Sequence, residues 1–279
     1  MTSSPSKRIR TASPSRDAGT IPAQSKPKSS PMLSASSSPY MPMFSHFRSE
    51  LDAHHDRRER VIKASRDITA NSKKIIFTLQ RAPSLGSALP NGITTEIGGK
   101  TTTIGTLLKS IYPSDLASIN VWRYHWQLSP GIQELMEAAV FQHYLLTQEL
   151  LNFADAQKLV GQLVGDELVG GGLLTEEDYL LGVFDSVGEM MRWSVSHLAV
   201  SRGRGEGDEA LVKDLRTLRL ALEMLKTHGA GCERDVEKKM EVMQSCVDKV
   251  ENTAYGLVVR GSERPKEWIP EDKFPEMHD

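Results

Sequence analysis

Four acidic residues sit where acids are costly. Asp185 and Glu189 lie four residues apart in the middle of YLLGVFDSVGEMMRWSVSHL (Tyr179 to Leu198). Its Leu180, Leu181, Val183, Phe184, Val187, Met190, Met191, Val195 and Leu198 wrap around most of a helix. At 3.6 residues per turn, side chains four apart project only ~40° apart. Glu134 and Glu137 repeat the anomaly in IQELMEAAVFQHYLL, three apart and ~60° around the helix, among Leu135, Met136, Val140, Tyr144 and Leu145. Carboxylates this close in apolar surroundings need a cation or a proton.

Two helices with two carboxylates each would build an all-oxygen cation site. Such a donor set suits Mg²⁺, or Mn²⁺, rather than zinc or iron. A di-iron bundle needs Glu-x-x-His; here Val140 stands three after Glu137, and His143 stands six after it. A Mg²⁺ that keeps waters can activate one and clamp a phosphate oxygen, which is the chemistry of phosphodiester cleavage. The same spacing also fits solvated or internally paired acids. Arg192, three after Glu189, is expected to neutralise it rather than reach for a phosphate. The pattern alone leaves both readings open.

Trp122-Arg123-Tyr124-His125-Trp126 interleaves aromatic and basic groups shortly before Glu134. Bases stack on rings and Arg holds phosphates, so a single-strand contact fits; two Trp on one helical face fit core anchors equally well. Arg57, Arg58, Arg60, Lys63 and Arg66 alternate with Asp56, Glu59 and Asp67, as on a solvated face or subunit contact. Cys232 and Cys246 have no histidine nearby to suggest a thiolate nucleophile.

The elements that must position these groups are helical throughout. Phe44, Phe47, Leu51, Val61, Ile62, Ile68, Ile75, Ile76 and Leu79 predict one long N-terminal helix from Phe44 to about Gln80. Its polar interruption falls at His54 to Arg58. Such a helix spans ~55 Å, a length suited to packing against a partner subunit, with Leu51 and Val61 as test positions. The Gly/Pro-rich stretch from Pro83 to Gly99 reads as its end. Short helices are expected at Ile104 to Ile111 and Leu116 to Gln127. Ser129-Pro130 reads as a cap and first residue of the Glu134 helix, which runs to about Phe153. Gly161 to Gly172 reads as a loop, and Thr175-Glu176-Glu177-Asp178 as a capping box opening the Asp185 helix. After a loop at Ser201 to Asp208, two amphipathic helices follow, Leu211 to Lys226 and Arg234 to Val259, the last closed by Gly261. No β-alternating run competes, so an all-α bundle is expected.

The chain divides into a Ser/Pro-rich tail over residues 1–42, expected to be disordered, an all-α domain over 43–268, and a C-terminal tail over 269–279. Ser-Pro pairs at Ser4, Ser13, Ser30 and Ser38 suit proline-directed phosphorylation, and Lys7, Arg8 and Arg10 suit a nuclear address. With 279 residues and a net charge of −2, the chain is no globally basic nucleic-acid binder. No apolar run reaches the ~18 residues of a membrane span. In one helix the two cysteines would stand ~21 Å apart, beyond disulfide reach, which fits a reducing compartment.

Several ordered stretches together resemble the translin family: ELDAHHDRRERVIKASRDITANSKKIIFTLQR (Glu50 to Arg81), IQELMEAAVFQHY (Ile132 to Tyr144), DYLLGVFDSVGEMMRWSVS (Asp178 to Ser196) and KVENTAYGLVVRGSERPK (Lys249 to Lys266). The resemblance covers about Phe44 to Lys266 and implies a roughly seven-helix all-α subunit. It also implies membership of a Mg²⁺-dependent endoribonuclease for single-stranded RNA, a hollow hetero-octamer with translin, in nucleus and cytoplasm. Translin supplies most of the RNA surface there, and its partner chain the catalysis. The family's catalytic acids fall on Glu134, Glu137, Asp185 and Glu189 with both spacings kept, while Ser186-Val187 stands where Leu-Thr is usual. Passenger-strand removal in small-RNA silencing and clearance of pre-tRNA fragments are the implied processes. Translin's Arg-Phe-His-x-His-Trp-Arg contact is matched at Arg123, Tyr124 and His125, but Gln127 and Ser129 replace its second histidine and last arginine. Single-stranded DNA is a further implied ligand. A non-catalytic scaffold that stabilises translin is the competing expectation.

Overall fold

Helix boundaries in this chain follow packing more than local capping signals. The computed structural model describes residues 38–165, 172–201, 207–225 and 233–263. Eight described helices and no described strand give the expected all-α architecture. They are α1 (Met41–Leu79), α2 (Asn91–Asp115), α3 (Asn120–Arg123), α4 (His125–Thr147), α5 (Phe153–Val164), α6 (Glu176–Ser201), α7 (Asp208–Glu223) and α8 (Glu233–Glu263). No described helix is long and apolar enough to cross a membrane. Two compact units divide the chain, Met1–Ser49 and Glu50–Asp279; all that follows on the site concerns the second. The Ser-Pro pairs from Ser4 to Ser30, the basic residues Lys7 to Arg10, Cys232 and residues 269–279 lie outside the described residues, as does most of the loop from Ser201 to Asp208.

α1 has the expected length, and the polar interruption at His54 to Arg58 marks a change in its role. Before it, Leu51 is 68% exposed; after it, Val61, Ala64, Ile68, Ile75, Ile76 and Leu79 are buried. α6 is packed against both α4 and α8, so the helix with Asp185 and Glu189 is central. Its start is capped as expected: the Asp178 amide donates to Thr175 Oγ1 at 3.1 Å. The Asp178 carboxylate is occupied elsewhere, accepting from Ser129 Oγ at 2.5 Å and Gln133 Nε2 at 3.0 Å.

Several expectations need correction. The stretch up to Gly99 is not a loop, because α2 begins at Asn91 and runs 25 residues. Ile93, Ile97, Ile104, Leu108 and Ile111 share a buried face that packs on α5, while Gly92, Gly98 and Gly99 face open space. Core burial outweighs the low helix propensity of glycine, ~1 kcal/mol each. Second, Leu116 to Gln127 is no continuous helix, and α4 starts at His125 rather than at Ser129. Pro130 therefore lies inside α4, and Ser129 serves Asp178 instead of a cap. Third, Gly261 does not close the last helix, which continues to Glu263. The Glu134 helix also ends earlier than expected, at Thr147, where Gln148 takes a left-handed conformation with φ 60°.

Candidate functional site

Close approach of α4 and α6 brings the two acidic pairs together, and Gly182 permits that approach. A Cβ at Gly182 would lie 2.6 Å from Met136 Cβ, 3.0 Å from the Gln133 carbonyl oxygen and 3.2 Å from the Glu137 amide nitrogen. The missing side chain admits the neighbouring helix. Gly131 does the same against α1: its Cβ would meet the Ser65 carbonyl oxygen at 2.8 Å. The Ser65 hydroxyl then accepts from the Gly131 amide at 3.1 Å and donates to the Leu128 carbonyl at 3.2 Å.

The four acids are half-buried and share one electrostatic field. Burial first, then the negative charges of Glu134, Asp185 and Glu189, push the Glu137 carboxyl up to about 8, against the pull of Lys239. Burial also raises Glu134 above the ordinary carboxylate range, opposed by Lys73 and reinforced by Asp185 and Glu189. Three of the acids have basic partners. Lys73 Nζ lies 3.7 Å from Glu134 Oε2, Lys239 Nζ donates to Asp185 Oδ1, and Arg192 Nη1 donates to Glu189 Oε2 at 2.9 Å, as expected. Gln80 Nε2 donates to the same carboxylate at 2.8 Å and to the Glu189 carbonyl at 2.9 Å.

Among the described residues, no group of three or more His, Cys, Asp or Glu side chains stands close enough to hold a metal ion. The acids share a field but not a coordination sphere. The chemistry of the set nevertheless fits a hard divalent cation: every donor is a carboxylate oxygen, and the proton retained by Glu137 marks a shortage of positive charge. Sequence inspection missed Lys73, Gln80 and Lys239. Lys239 lies 54 residues from Asp185, and Gln80 lies 109 from Glu189, so no local spacing could have found them.

The residues matched to the translin nucleic-acid segment are separated. Arg123 is exposed, with Nη1 3.3 Å from His54 Nε2. Tyr124 is 4% exposed, with its hydroxyl 2.7 Å from His54 Nδ1. His125 Nε2 lies 3.4 Å from Oδ2 of the buried Asp178. Trp122 and Trp126 are not core anchors, being 66% and 81% exposed; the break between α3 and α4 turns Tyr124 inward in their place. Trp126 lines a cavity of ≈ 350 Å³ together with Gln133, Asp178, Lys238 and Lys239. Through Lys239 this cavity adjoins the acids.

Residues 56–261 match the Translin family. Translin-associated protein X of Mus musculus is 34% identical over 249 residues, covering 84% of this chain and 83% of that protein. The Translin-associated protein X homolog of Schizosaccharomyces pombe is 30% identical over 223 residues, 79% of this chain and 89% of that protein. The chain belongs to the translin family. Among solved structures, apo-NeC3PO superposes with a TM-score of 0.57 at 17% identity, covering 78% of this chain and 98% of that one. AfC3PO in complex with duplex RNA gives 0.54 at 16% identity, covering 80% and 100%. At those identities the likeness is one of fold.

Proposed function

We propose that this chain is the catalytic subunit of a hetero-oligomer with translin that cleaves single-stranded RNA in a Mg²⁺-dependent reaction. The observation that carries the reading is the crossing of α4 and α6 at Gly182, which gathers Glu134, Glu137, Asp185 and Glu189 into one field and leaves Glu137 protonated at neutral pH. The relatives' name, which records association with translin, supports the partner. A fold neighbour in complex with RNA supports the ligand class, although that RNA is a duplex.

The four carboxylates would hold the cation, with Mn²⁺ as a substitute. When bound, it supplies an activated water and charge for the scissile phosphate. The protein's own groups do the rest. Glu137 is the acid whose protonation the site can change: ionised once a cation offsets the other three charges, it would take the proton of the attacking water as water oxygen bonds to phosphorus and the P–O bond to the leaving nucleoside breaks, the departing oxygen drawing its proton from solvent. Lys73 and Lys239, which reach Glu134 and Asp185 from α1 and α8, would orient the phosphate oxygens.

The test is cleavage of a labelled single-stranded RNA by the complex co-purified with translin, comparing wild type with Glu137→Ala. Loss of at least ~100-fold in rate is expected for an acid of this role, with the assembly intact by light scattering. Full activity in an intact assembly would sink the proposal. It would leave the chain as a scaffold for translin, with single-stranded RNA or DNA bound but not cut.

A further inference from the structure

Phe77 is a large apolar side chain that the described core leaves out, on the helix that borders the acids. Its ring is 73% exposed, although the helix around it is well packed: Ser72, Ile75, Ile76, Thr78 and Leu79 are all buried. Single apolar side chains are common on protein surfaces; what singles Phe77 out is its place. Along α1, Lys73 reaches Glu134 and Gln80 reaches Glu189, so the acids lie alongside the segment between those residues. Phe77 stands four after Lys73 and three before Gln80. It projects ~40° from the first and ~60° from the second, on the solvent side of both. The residues three and four away from it along the helix, Lys73, Lys74, Gln80 and Arg81, are all polar. A flat apolar ring at the rim of a phosphate-cleaving centre, one helical turn from a lysine that faces the acids, is suited to a nucleobase. Its phosphate would then reach Lys73.

We infer that Phe77 is a positioning residue: it stacks on the base of a nucleotide flanking the scissile phosphate and so sets where the strand lies over the acids. This rests on the ribonuclease reading above. Stacking does not depend on base identity, because every base has a π-face. The residue therefore selects unpaired strands over duplexes, whose bases are already stacked, rather than one sequence over another.

The experiment uses the full complex with translin and two readouts. In the first, steady-state cleavage of a single-stranded RNA by Phe77→Ala is expected to show KM raised about tenfold, the scale of one lost stack. kcat should stay within about threefold, and Phe77→Trp should restore KM. An RNA with an abasic nucleotide beside the cleaved bond should cost the wild type the same factor and Phe77→Ala nothing further. In the second, binding of a 2-aminopurine-labelled RNA is followed by fluorescence in EDTA, where no cleavage is needed. Wild type should quench the probe and Phe77→Ala should not. Quenching that depends on Phe77 in a complex that never cleaves would sink the ribonuclease reading and leave the stacking role standing. Unchanged KM and unchanged quenching in an intact Phe77→Ala assembly would overturn the inference. Loss of the assembly itself would do the same, because Phe77 would then be a subunit contact.

Discussion

Glu137 is the acid of the four for which the described residues supply neither a hydrogen bond nor an ion pair, and that isolation makes it the site's most informative group. Its carboxyl is raised from 4.5 to about 8 by burial and by its three acidic neighbours. Below pH 4.5 it is protonated folded or unfolded and has no differential effect. Between 4.5 and 8 the unfolded chain gives up a proton that the folded chain keeps, so stability falls as pH rises. Above about 8 the loss is complete. Glu137→Gln removes this dependence. In EDTA, thermal unfolding of the complex should show the variant gaining on wild type steadily between pH 5 and 8, with little difference below pH 4.5. Added Mg²⁺ should release a proton from wild type at pH 7, visible as a buffer-dependent binding enthalpy in calorimetry, and none from Glu137→Gln. Equal proton release by both proteins would remove Glu137 from the cation site. The acids themselves were legible in the sequence, since spacings of three and four on apolar helices expose a carboxylate that should be buried. Their partners were not. Lys73, Gln80 and Lys239 reach the acids only after α1, α4, α6 and α8 have packed, and one-dimensional spacing carries no trace of that.

Among the elements, the crossing of α4 and α6 decides whether four acids make one site. Three glycines show how differently the same residue can act in a helix. Gly131 and Gly182 are contact points where backbone lies within about 3 Å of a would-be Cβ, whereas Gly188, on α6 between Asp185 and Glu189, faces open space. Gly182→Ala should therefore destabilise the protein by ~1–3 kcal/mol through overpacking and push the acidic pairs apart, lowering cleavage. Gly188→Ala adds a methyl where nothing is met and should stabilise by ~0.5–1 kcal/mol, the helix-propensity difference. Urea unfolding of the two variants side by side is the check, and a Gly182→Ala protein as stable as wild type would mean that the crossing is looser than these distances. The limits of sequence reading are clearest at this scale. Gly98 and Gly99 look like a loop but lie in α2, because one face of isoleucines and Leu108 packs on α5. Ser129-Pro130 looks like a helix start but lies inside α4, because Ser129 is committed to the buried Asp178. In both, a long-range contact overrides a sound local signal.

At the scale of the whole molecule, the same helix that borders the acids also carries apolar side chains that are exposed among the described residues. Phe44 and Phe47, in the first compact unit, and Leu51, in the second, are all exposed, while Val61 is 0% exposed. The helix thus changes function along its length. The residues after the polar interruption belong to the core, and those before it are left for another surface. Exposed aromatic and aliphatic groups on a helix this long are what an obligate subunit contact is made of. Leu51 and Val61 looked alike as probes of that contact, but a charge at Val61 would be buried without a partner and would unfold the domain. Leu51→Glu, and separately the double variant Phe44→Glu/Phe47→Glu, should leave the helical circular dichroism of the purified chain unchanged. Both should shift it from the high-mass complex to free subunit when co-expressed with translin, as read by size-exclusion chromatography with light scattering. Val61→Asp should instead lose helicity or solubility whatever the partner. If Leu51→Glu and the double variant both assemble to wild-type mass, the start of α1 is not the contact, and the apolar residues there serve something other than the translin partner.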